Sequence, residues 1–144
     1  MQNLRIIPII LTVGTFALSG IAYGHGPERH GKMVPVDEQM KKLHAMMPMF
    51  SVASAGLEGA LEKNDLAAVD AEAGKILTAI PDLKKSKPHK NVNQRKKFIE
   101  HASNLEKTVL TTVELTKKGD LAGAKGTFKK VEEICAACHA KFRD

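Results

Sequence analysis

Three residues near the C-terminal end are spaced for a particular piece of chemistry: Cys135 and Cys138, separated by two alanines, with His139 directly after them. Two thiols at that spacing can each form a thioether to one edge of a porphyrin bearing two vinyl groups, and the adjoining imidazole can reach the iron from the same side. C-x-x-C-H is accordingly the attachment signature of a c-type haem. On a helix, at about 100° per residue, the three side chains fall at roughly 0°, −60° and +40°, so they share one face. Two other uses of the cysteines compete with this one, a disulfide and half of a zinc site. Zinc takes four ligands, and no second Cys/His pair stands at ligand spacing. The chain holds only these two cysteines, so one covalently attached haem c, with its iron, consumes both and leaves no disulfide scaffold.

Such a site must be exported, and residues 1–24 read as an export signal. Arg5 supplies a positive start, Ile6 to Ile21 an apolar run, and Ala22-Tyr23-Gly24 a small-x-small cleavage site, which places the mature start at His25. A retained membrane anchor is the competing reading, but the apolar run is short and broken by Pro8, Gly14 and Gly20. The expected location is periplasmic, with no stable membrane insertion after cleavage. The mature chain would then be about 120 residues, the size of one domain. The formal net charge of +6 suits acidic partners. Basic residues without interleaved aromatics, in an exported chain, argue against nucleic acid.

Residues 25–36, rich in Gly, Pro, His and charge, read as a disordered arm in which His25 and His30 are solvated or bind a metal weakly. A first helix is expected from Asp37, as N-cap, to Lys63. Its seam is Met40, Leu43, Met47, Phe50, Ser54, Leu57 and Leu61, with a kink or loosening near Pro48. Asn64-Asp65 turns the chain into a second helix, Leu66 to Ile80, which Pro81 is expected to stop. The stretch from Pro81 to Asn91 then reads as a basic crossover and the longest loop of the domain. A third helix begins near Val92 and ends at Lys118-Gly119, burying Phe98, Ile99, Ala102, Leu105, Val109 and Val113, with Leu115 or Thr116. Asp120 caps the last helix, whose apolar face runs Leu121, Ala124, Phe128, Val131, Ile134, Cys135, Cys138 and Phe142. No β-rich alternating stretch competes. Four amphipathic helices on short links predict an all-α, antiparallel up-down-up-down bundle spanning 37–144.

The close of the chain, Cys-x-x-Cys-His-x-x-Phe-Arg from Cys135 to Arg143, resembles the cytochrome c′ family, and the four helix lengths are similar along nearly the whole mature chain. The resemblance implies that His139 is the proximal iron ligand and that the distal group comes from the first helix. Family members with an apolar distal residue resemble five-coordinate binders of nitric oxide or carbon monoxide. Those with methionine resemble six-coordinate electron carriers, in which a thioether paired with histidine favours ferrous iron and raises the potential. It also implies a basic side chain beside the haem edge, here Arg143, and possible homodimerisation through the first two helices.

The first helix offers Met40, Met46, Met47 and Met49, with His44 among them. Met47 continues the seam through Phe50, Ser54 and Leu57, so it is the first candidate, Met46 the second and Met40 the third. Plain packing is the competing role for all four. His44 is a rival sixth ligand, or a member of a copper site with the methionines, although an exposed or hydrogen-bonded histidine is the commoner outcome. His89 and His101 read as surface residues. Lys84, Lys85, Lys87, Lys90, Arg95, Lys96 and Lys97 form either a solvated face or a docking patch for an acidic redox partner. No nucleophile beside a base, no paired carboxylates and no phosphate loop suggests an enzyme. The sequence reads as an exported one-electron carrier between periplasmic redox proteins, with gas binding as the alternative.

Overall fold

The computed structural model describes residues 37–143, so the expected signal (1–24) and arm (25–36) lie outside the described residues. Four helices run in order: α1 (Glu38–Lys63), α2 (Leu66–Lys85), α3 (Arg95–Lys117) and α4 (Leu121–Phe142), with a 3₁₀ turn, Val92–Gln94, leading into α3. No strand occurs among the described residues. The expected all-α four-helix bundle is the fold. None of these helices is long and apolar enough to cross a membrane.

Short polar side chains start three of the helices. The carboxylate of Asp37 accepts from the Gln39 N–H at 3.0 Å, Asp65 from Ala68 at 3.0 Å and Asp120 from Gly123 at 2.8 Å. Each satisfies a donor that the first turn leaves without a helical partner. Asn64 (φ 53°) and Gly119 (φ 80°) make the tight reversals at the ends of α1 and α3 in the left-handed region, which asparagine and glycine tolerate best.

Every helix packs against its neighbours in sequence, but the seam between α1 and α4 is sparse. The fully buried side chains Leu57 and Leu61, Ile76 and Ile80, Val109, and Val131 come one or two from each helix and fill the bundle's centre. Burial of each stabilises by about 1.5–3 kcal/mol.

Three expectations need correction. Pro81 does not stop α2, which runs on to Lys85 with the proline inside it. Proline at that position costs a helical hydrogen bond, about 3 kcal/mol. The extra turn offsets this by burying Leu83 and by its C-terminal hydrogen bonds: the Arg95 guanidinium donates to the carbonyls of Ser86 (2.9 Å), Lys84 (3.0 Å) and Lys85 (3.3 Å). The crossover therefore begins only at Ser86. In α1, which continues unbroken through Pro48, Ala53 and Ala60 are buried while Met47 and Ser54 are half-buried, because the latter two face a cavity rather than packed core. In α3, Thr112 is buried where Val113, which is half-buried, was expected, and of the pair Leu115 or Thr116 it is Thr116 that is buried. The Thr112 and Thr116 hydroxyls donate to the carbonyls of Thr108 (3.0 Å) and Thr112 (2.8 Å), so neither carries an unmet donor into the core.

Candidate haem site

The sparse side of the bundle holds a cavity of about 710 Å³ whose wall is mainly apolar. That is within the range of cofactor pockets, about 300–1,000 Å³. α4 brings Cys135, Cys138 and His139 to it on one face, as the helical spacing requires. α1 contributes Leu43, Met47 and Phe50 to the wall, α3 contributes Phe98 and His101, and Leu83 and Pro88 line it from α2 and the crossover.

Both cysteines are free thiols and half-buried. No disulfide links them, and no group of three or more His, Cys, Asp or Glu among the described residues is arranged to hold a metal. Burial pushes the Cys138 thiol up to about 11, with Cys135 adding to the shift. Burial also raises Cys135, helped by the negative charge of Glu132 one turn earlier. Each side chain is thus a neutral thiol at neutral pH. Two free thiols with an imidazole beside the second, opening on one apolar cavity of cofactor size, fit a covalently attached haem.

The C-terminal end of α4 is tied down by the crossover. The carbonyl of Phe142 accepts from the backbone N–H groups of both His89 and Lys90 at 3.1 Å, and the Asn91 side-chain amide donates to the Lys141 carbonyl at 2.7 Å. The Phe142 ring is buried, meeting Phe98 edge-on with centroids 5.3 Å apart and His101 at 5.9 Å. Arg143, exposed at the cavity, donates its backbone N–H to the His139 carbonyl at 3.0 Å and so caps the haem-motif helix.

Of the α1 methionines, Met47 lines the cavity. Met46 and Met49 are half-buried against the core and do not line it, and Met40 is half-buried. His44 is exposed and hydrogen-bonded, its Nε2 lying 2.8 Å from Nε2 of His89, and it lines the cavity beside Met47. His89 and His101 are not surface residues: each is half-buried and lines the cavity. A signal for His101 existed, since it lies three residues after Phe98 and one before Ala102 on the buried stripe of α3. For His89 there was none, because its position is set by the fold of the crossover. The basic cluster is also partly structural. Lys84 pairs with Glu106 at 2.6 Å, Lys87 with Asp37 at 3.2 Å, and Arg95 caps α2.

Fold and site together define a helical bundle built to carry a c-type haem on its last helix. The sequence profile described as Cytochrome C′ matches residues 28–143, and the chain belongs to the cytochrome c′ family, with the covalent haem c that membership implies. No curated protein and no solved structure was found to match it.

Proposed function

We propose that this c-type cytochrome is an exported, periplasmic one-electron carrier, in which Cys135 and Cys138 would hold haem c and His139 and Met47 would be the iron's protein ligands. Bound haem supplies one reversible electron. The chain's residues do the rest. The Met47 thioether, a soft ligand, would favour the reduced state and raise the potential. Leu43, Phe50, Phe98 and Phe142 make the cavity wall apolar around the bound group. Arg143 at the cavity and the exposed Lys85, Lys90, Lys96 and Lys97 supply positive charge that would steer an acidic partner. The observation that carries the reading is that Met47 lines the same cavity as Cys135, Cys138 and His139.

Absorption and paramagnetic-resonance spectra of the holoprotein, oxidised and reduced, test it beside Met47→Ala and Met46→Ala. The expected result is a low-spin spectrum with the weak red band of iron–sulfur ligation, lost in Met47→Ala and kept in Met46→Ala. A high-spin spectrum indifferent to both substitutions would reject methionine ligation and favour the gas-binding alternative.

A further inference from the structure

We propose that His44 and His89, both of which line the haem cavity, form a second metal site, a two-imidazole chelate for a late first-row divalent cation such as Zn²⁺, in addition to the haem iron. His44 stands on α1 and His89 on the crossover, yet their Nε2 atoms are 2.8 Å apart. At metal–nitrogen distances of about 2.0–2.1 Å, two neighbouring imidazole nitrogens on one ion are separated by about 2.9 Å at a right angle and about 3.3 Å at the tetrahedral angle. The pair is therefore close to chelating separation before any ion binds. The rings are near-parallel and stacked, 16° apart with centroids at 4.7 Å, so a shared ion requires at least one ring to turn about its side-chain bonds until both in-plane lone pairs meet it.

Imidazole nitrogen suits zinc, copper and nickel. Without metal, one ring donates its Nε2 proton to the other. Metal binding through both Nε2 atoms needs each of them unprotonated, so the donor ring gives up its Nε2 proton. Among the described residues no third His, Cys, Asp or Glu joins the pair. Water completes the coordination, and exposed His44 gives it access. Lys87, two residues before His89, is offset by Asp37 at 3.2 Å. An ion held here would clasp the methionine-bearing turn of α1 to the crossover.

Calorimetric titration of Zn²⁺ into the holoprotein tests the site, comparing the native chain with His44→Gln, His89→Gln and a His25→Gln/His30→Gln control. The expected result is one ion bound, with affinity reduced at least about tenfold by either single substitution and unchanged in the control. Zn²⁺ should also raise the melting temperature of the native protein and the control but of neither single variant. Undiminished affinity in both single variants, or loss confined to the control, would overturn the proposal. Should a single variant fail to fold, Cu²⁺ paramagnetic resonance of the His25→Gln/His30→Gln holoprotein decides: coupling to two imidazole nitrogens supports the chelate, and coupling to one or none rejects it.

Discussion

The side chain of Glu72 on α2 occupies the space that a side chain at position 56 of α1 would need. A Cβ built on Gly56 would lie 2.8 Å from Glu72 Cδ and 2.9 Å from its Cγ, whereas one on Gly59 or Gly74 would meet nothing within 4 Å. Glu72 is held there by Lys75 at 2.6 Å, and its other oxygen has no hydrogen-bond partner among the described residues.

Alanine at these glycines should therefore act in opposite directions. Gly59→Ala and Gly74→Ala are expected to stabilise by about 0.5–1 kcal/mol through helix propensity. Gly56→Ala should lose that gain by displacing Glu72, and Gly56→Ala combined with Glu72→Ala should recover it. Urea unfolding of these four variants and of Glu72→Ala alone gives the coupling between positions 56 and 72.

Arg95 closes the last turn of α2 with a planar fork onto three carbonyls. Lysine has the charge but not the fork, so Arg95→Lys should cost nearly as much as Arg95→Ala, about 1–2 kcal/mol. Hydrogen exchange should show the loss concentrated at 83–86. Equal protection there in all three proteins would refute the capping role.

Asp37 should give α1 a pH-dependent start. The Gln39 N–H, and then the Lys87 ammonium, hold its carboxyl below the ordinary 3.8. The unfolded chain takes up that proton at higher pH than the folded one, so the stabilisation is present above pH 3.8 and is lost as pH falls through the folded value. In Asp37→Asn, urea midpoints should fall less steeply than in the native protein between about pH 5 and pH 2.

Phe142 joins the haem-motif helix to α3. Phe142→Ala should cost about 3–5 kcal/mol and Phe142→Leu less than about 1.5 kcal/mol. Denaturant midpoints with unchanged slopes would check both. A loss under about 1 kcal/mol for alanine would mean that the cavity wall relaxes around the gap.

Local rules carried most of the fold. Asp37, Asp120 and Gly119 mark their helix ends by chemistry confined to one turn, and Cys135, Cys138 and His139 fix the attachment face by spacing alone. Where the local pattern misleads, a distant residue intervenes. Pro81 looks like a stop until Arg95, fourteen residues on, supplies donors to the turn beyond it. The 3–4 spacing of Ile76, Ile80 and Leu83 nevertheless runs straight through the proline, a signal outweighed by the residue's reputation. Ser54 and Met47 belong to the seam but border a cavity, which periodicity does not distinguish from core. The meeting of His44 with His89 results from how the crossover folds back, and no local pattern encodes that.

The tie between crossover and haem-motif helix is made largely of main chain. His89 and Lys90 hold the Phe142 carbonyl through backbone N–H groups, so the clasp does not depend on which side chains stand at 89 and 90. Substitution can therefore alter the cavity rim, adding or removing an imidazole or a cation, without releasing the wall behind it. That freedom has one exclusion. Proline, having no N–H to give, is the residue this part of the chain should accept at neither position.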